Sequence, residues 1–179
     1  MSEIINQRIK KWEIRLNAAQ TGHYIASEKF QNIHIIIGLP LVVLSTFVSA
    51  FLFFDSEVFW HTIFLKISGL VVALFASIQT FIRPAEKAEM HRSKATKYGK
   101  LKRDIEIFRN SQFDEDHQFQ KFCQNFIFEW NAIAEDAPLT KKSIRKKVNK
   151  LLSEEFENIA KLEKNSSFSS LNKNTQCDH

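Results

Sequence analysis

No part of this chain alternates apolar and polar residues between turn signals, and only four glycines occur in 179 residues. Sheet architectures are not expected, and the fold reads as all-α. The same scarcity removes common enzyme signatures: no glycine loop cradles a phosphate, no serine is flanked by glycines, and no histidine pair has metal-binding spacing on a helix. His23, His34, His61, His91, His117 and His179 are scattered. Of two cysteines, Cys123 falls on an apolar stripe as a core position, while Cys177 and His179 lack a third or fourth metal ligand. Neither catalysis nor a cofactor, metal or small-molecule substrate is expected.

Charge is missing where it matters most. Phe30 to Phe54 contains no Asp, Glu, Lys or Arg, and neither does Ile67 to Ile82. A helix needs about 20 mostly apolar residues to cross a hydrocarbon core. The first stretch suffices alone; the second does so when extended back to Val58, which brings Lys66 into the hydrophobic register. The expected spans are 33–54 and 58–82, joined by a short loop at 55–57. A cleaved leader is not expected, because some thirty amphipathic residues precede the first stretch. Overall composition conceals this pattern: 44% hydrophobic and 25% charged residues, with a mean hydropathy of −0.23, would suit a soluble domain.

Basic residues orient the pair. Arg8, Lys10, Lys11, Arg15 and Lys29 precede the first span, and Arg83, Lys87, Arg92, Lys94 and Lys97 follow the second. The connecting Asp55, Ser56 and Glu57 bring no cation. Cytoplasmic flanks retain Lys and Arg, so both termini are expected in the cytoplasm, with Phe53, Phe54, Phe59 and Trp60 as an outer aromatic belt. On the second span Lys66, Gly69, Ala73, Ala76, Ser77 and Thr80 share one small, polar face, with Gln79 nearby. Ser45 and Ser49 repeat the four-residue spacing on the first. Small residues let helices approach closely in lipid. These faces either pack the two spans together or also build an oligomer. Lys66 either snorkels to the outer interface or faces a protein or water-filled interior.

The remaining chain reads as amphipathic helices. Ile5, Ile9, Trp12, Leu16, Ala19, His23, Ala26 and Phe30 follow steps of three and four over 3–32, with Ile14 off the stripe, predicting one long helix that runs into the first span. Arg83-Pro84 marks a bend or a first-turn proline. Ala88, His91, Ala95, Tyr98, Leu101, Ile105 and Phe108 form a stripe over 83–110; Phe119, Phe122, Cys123, Phe126, Ile127, Trp130 and Ile133 form another over 117–135. The three stripes are expected to pack as a stalk or bundle. A last helix is predicted over 140–164, with Thr140 as N-cap. Its cluster of Lys141, Lys142, Arg145, Lys146, Lys147 and Lys150 suits anionic lipid at about 1 kcal/mol per charge, or nucleic acid, or a solvated face balanced by Glu154, Glu155 and Glu157. Residues 1–164 form one domain in this reading, and the Ser- and Asn-rich 165–179 a disordered tail.

Trp12-x-x-Arg15-x-x-x-Ala19-x-x-x-His23-Tyr24-x-Ala26-x-x-x-Phe30 precedes the first span. Ala76-Ser77-Ile78-Gln79-Thr80-Phe81 closes the second, followed by Glu86-Lys87-Ala88-Glu89-x-His91-Arg92, Ala95 and Tyr98-Gly99. With Glu129-Trp130 and Ala137-Pro138, this order over residues 5 to 140 resembles the bacterial SLATT domains, two-transmembrane modules of conflict systems. The resemblance implies an inner-membrane effector of anti-phage defence. Such an effector works with a sensing partner, either a nucleotidyltransferase making cyclic oligonucleotides or a retron reverse transcriptase with its non-coding RNA. Lacking an appended ligand-binding domain, this chain departs from larger effectors, which favours control by a protein or ribonucleoprotein.

Two functions are therefore expected to compete. In one the chain self-associates and permeabilises the membrane, with Ser45, Ser49, Lys66, Gly69, Ala73, Ser77, Gln79 and Thr80 at the lumen or subunit contacts. Glu86, Glu89, His91 and Arg92 then couple the trigger at the inner surface. In the other it is a non-conducting adaptor that anchors a cytoplasmic complex. A soluble basic nucleic-acid binder, suggested by the pI of 9.2, would leave two apolar spans in water.

Overall fold

The computed structural model describes residues 3–53, 59–110, 116–158 and 160–161, and among these every regular element is a helix. The elements are α1 (Glu3–Phe51), α2 (Phe59–Ile82), α3 (Pro84–Asn110), α4 (Asp116–Glu135) and α5 (Lys142–Leu151). Further helical residues cover 153–158. The expected loop at 55–57, the tail at 165–179, Phe54 and Val58 lie outside the described residues. α1 is the single long helix that the pattern predicts, uninterrupted by Gly22 or Pro40. The chain divides into two units, one comprising the residues up to Ile25 and from His91, the other Ala26–Met90.

The first unit is a helical bundle with an aromatic core. Ile9 and Leu16 of α1, Tyr98, Leu101, Ile105 and Phe108 of α3, and Phe126 of α4 are buried together. Phe122 stacks on Phe108 at 4.1 Å between ring centroids, and Trp12 on Phe126 at 4.9 Å. All seven positions of the predicted α3 stripe are buried. At the periphery, Arg109 donates hydrogen bonds to Glu13 at 3.0 and 3.2 Å, and Lys100 meets Glu129 at 3.4 Å.

Three expectations need correction here. Ile14 is buried, because the segment after α5 covers a second side of α1, where Asn17 donates a hydrogen bond to Glu155 at 3.2 Å. Ile127 is exposed, since Phe119, Phe122, Phe126, Trp130 and Ile133 already fill the face of α4 that meets the core. Thr140 is not the N-cap of the last helix. The first carbonyl to accept a helical bond is that of Lys141, from Ile144 at 2.9 Å and Arg145 at 3.2 Å, and α5 ends at Leu151 rather than continuing unbroken to 164.

In the second unit, α2 and the start of α3 run antiparallel to the latter half of α1. Phe51 meets Phe64 edge to face, His34 lies 3.5 Å from Gln79, and Ser27 donates a 2.8 Å hydrogen bond to the carbonyl of Ala88. A Cβ on Gly38 would stand 3.5 Å from Gln79 Nε2, an ordinary contact, so Gly38 lies against that amide on the seam. The half-buried positions of α1 step through Ile33, Ile37, Leu41, Leu44 and Val48. Outside this seam the apolar side chains have no cover. None of the most apolar 18-residue window of α1 is buried, and only 6% of the corresponding window in the second helix. Both helices are long and apolar enough to cross a membrane.

A single residue, Arg83, links α2 to α3, with φ at 47°. The proline that follows disfavours a right-handed helical conformation there, and Pro84 occupies the first position of α3. Arg83→Gly is expected to stabilise the fold by about 1 kcal/mol, measured by thermal unfolding in detergent. Gly22→Ala should add a similar increment. Its Cβ would meet Val148 Cγ2 at 3.6 Å, an ordinary contact, while alanine gains about 0.5–1 kcal/mol of helix propensity.

Candidate functional site

The outward face of α2 is the first of three regions that bear on function. Leu65, Ser68, Val72, Ala76 and Gln79 form the side turned to α1, with Ser68 buried. Lys66, Ala73, Ser77 and Thr80 are exposed, and a Cβ on Gly69 would meet nothing within 4 Å. Of the small face, Lys66, Ala73, Ser77 and Thr80 thus lie beside the seam uncovered by α1, while Ala76 lies on it. Its hydroxyls are internally satisfied: Ser77 donates to the carbonyl of Ala73 at 2.8 Å and Thr80 to that of Ala76 at 2.9 Å. On α1, Ser45 donates to the carbonyl of Val42 at 2.9 Å and sits half-buried on the seam, whereas Ser49 is exposed. Of the polar residues expected at a lumen, Gln79 instead meets His34 within the pair. These hydroxyl groups are thus satisfied within their own helices.

The second region lies inside the bundle. His23 and His91 are buried with their Nδ1 atoms 3.0 Å apart, so one neutral imidazole donates to the other. The ring of Tyr98 stands 5.6 Å from that of His23. Burial, followed by the fields of His91 and Lys94, lowers the His23 pKa to about 4. Burial also lowers that of His91 and raises that of Tyr98. The Lys94 ammonium is drawn outward to Asp136 Oδ2 at 3.6 Å. Beside His23 opens a cavity of about 310 Å³ whose far wall is α5, with Ile144, Arg145 and Val148. Of the four residues expected to couple a trigger, only His91 is buried; Glu86, Glu89 and Arg92 are exposed, with Glu86 3.5 Å from Arg83. Pattern reading put His23 and His91 each on an apolar stripe but not against one another. The only available signal was a polar side chain at a core position of both stripes.

The third region is α5 itself. Ile144 and Val148 are its buried residues, and Lys141, Lys142, Arg145, Lys146, Lys147 and Lys150 are all exposed. Several local choices work against this helix. Lysine holds the N-cap without a side-chain bond, and no acidic residue occupies the first turn. Cations there oppose the helix dipole by about 0.3–1 kcal/mol. Lys142, Lys146 and Lys150 repeat at four-residue spacing, each like-charge neighbour costing about 0.2–0.5 kcal/mol. The expected counterweights do not engage: Glu155 accepts from Asn17, and no ion pair joins these cations to Glu154, Glu155 or Glu157 among the described residues.

Among the described residues no group of three or more His, Cys, Asp and Glu side chains is placed to hold a metal. No protein-family model, curated protein or solved structure matches the chain.

Proposed function

We propose that this protein is a two-span effector of the bacterial inner membrane, of the SLATT kind. It assembles into oligomers that permeabilise the membrane when a sensing partner triggers them. The observation that carries the reading is the band of exposed side chains, including Ile36, Leu39, Val42, Phe47, Leu70 and Leu74, around an otherwise well-paired helical seam. Water would penalise so much contiguous apolar surface, whereas lipid accommodates it. Both spans then cross as a hairpin with the termini in the cytoplasm, in keeping with the flanking Lys and Arg. Two spans cannot enclose a pore, so conduction requires several copies, and the uncovered face through Gly69, Ala73 and Ser77 suits helix-to-helix contact between them. The bundle receives the trigger, from a reverse transcriptase with its RNA or from a cyclic-oligonucleotide synthase.

Large side chains on that face provide the test. A Cβ at Gly69 would meet nothing within 4 Å and Ala73 is exposed, so Gly69→Leu with Ala73→Leu adds bulk to the outward face and keeps neighbouring backbones apart. Crosslinking of the membrane-inserted protein is expected to fall from oligomers to monomer, with at least about a tenfold loss of assembly. Undiminished oligomers would refute this interface.

The adaptor reading draws on the exposed cations of α5. It requires activity to survive Gly69→Leu with Ala73→Leu and to vanish on charge reversal at Arg145, Lys146 and Lys147.

A further inference from the structure

We infer that α5 is an electrostatic docking surface for a bilayer rich in anionic phospholipid headgroups. The inference rests on the chain being a membrane protein, and it goes beyond that reading by giving α5 a ligand. Lys142, Lys146 and Lys150 form a row on the side of the helix opposite Ile144 and Val148, flanked by Arg145 and Lys147, and none finds an acidic partner among the described residues. A sequence that places cations at the N-cap and at successive turns, without using the available glutamates, conflicts with its own helix. Such conflicts mark surfaces shaped by a ligand. An extended sheet of phosphates supplies the missing negative charge along the whole row.

The apolar neighbour selects lipid over a nucleic acid. Leu139, three residues before the helix, is 97% exposed. A basic row next to a free leucine matches the headgroup region, where the charges meet phosphate and Leu139 reaches the acyl boundary. Bases would call for stacking partners, yet α5 contains no aromatic residue. Attachment is shallow on the protein side, since only Ile144 and Val148 of the helix are buried. Lipid contact should therefore change the opening of α5 measurably.

The test is hydrogen exchange of the full-length protein in nanodiscs of phosphatidylcholine, with or without about one third phosphatidylglycerol. In the anionic discs, amides 142–151 are expected to exchange at least about tenfold more slowly. Molar salt should remove the difference. A variant with Lys142→Glu, Lys146→Glu and Lys150→Glu should exchange alike in both discs, while its α3 amides keep wild-type protection as a control for folding. Equal exchange of wild-type α5 in the two lipids, with the protein inserted, would overturn the proposal. Protection by added single-stranded RNA in neutral discs, with none from phosphatidylglycerol, would overturn it in favour of a nucleic acid. Failure to enter discs of either lipid would remove the membrane reading, and this proposal with it.

Discussion

Lysine placed at both Leu70 and Leu74 is expected to move the protein out of the membrane fraction. The two leucines are among the exposed positions of α2, on the part of the helix that lies midway between Phe59 and Ile82. Each lysine near the centre of a span opposes insertion by about 2.5–3.5 kcal/mol, so the pair shifts the balance by about 5–7 kcal/mol. Snorkelling reduces this near the ends of a span, but midway there is no near interface. In a soluble protein with these leucines on its surface the same change would be neutral or would improve solubility. Alkaline extraction of membranes from expressing cells separates the cases. Retention of the double lysine variant at wild-type levels would argue against α2 as a span.

The second large effect concerns acid. Neutral His23 and His91 are favoured by the fold, with the His23 pKa lowered from 6.5 to about 4. Unfolded chain binds protons that the folded bundle refuses, so stability is intact above pH 6.5 and declines as pH falls toward 4. The His23 shift corresponds to about 3 kcal/mol. Of the groups facing the pair, Lys94 of α3 adds to the lowering, Tyr98 of α3 is neutral, Arg145 of α5 lines the neighbouring cavity, and the carboxylate of Asp136 is engaged at the Lys94 ammonium. Trp12 and Trp130 belong to the same unit, so their fluorescence reports its unfolding. Thermal or urea unfolding between pH 7.5 and 4.5 is expected to show the loss. His23→Leu combined with His91→Leu should flatten the pH dependence, whereas His91→Ala alone leaves a buried Nδ1 unpartnered and should cost about 1–3 kcal/mol at neutral pH. A wild-type bundle equally stable at pH 7.5 and 4.5 would contradict this account of the pair.

Much of the architecture was legible because burial imposes a period on a helix. The stripes through Ile9, Leu16 and Ala26 and through Ala88, Ala95 and Leu101 are buried as their spacing predicts. Register was not legible, because a stripe repeating every three or four residues offers several equivalent pairings, and only tertiary structure sets His23 against His91. Ile14 escaped because a stripe describes one face, while this helix is covered from a second side. At α5 the hydroxyl of Thr140 suggested a cap, but the backbone turns one residue later, and packing of Ile144 and Val148 outweighs the poor cap at Lys141. Spacing put Lys66, Gly69, Ala73, Ala76, Ser77 and Thr80 on one small face, of which Ala76 lies on the side turned to α1 and Gly69 is half-buried beside it. Whether α1 covers that face depended on which side of α2 meets the seam, and that is set by Ser68 and Gln79 rather than by Gly69 and Ala73.

Membrane potential, followed with a voltage-sensitive dye in cells expressing the protein together with its sensing partner under triggering conditions, tests the central claim most directly. Collapse of the potential with wild-type protein, and its preservation with equal amounts of inserted Gly69→Leu with Ala73→Leu protein, is the result expected of an oligomeric permeabilising effector. A steady potential despite abundant inserted wild-type protein would contradict it.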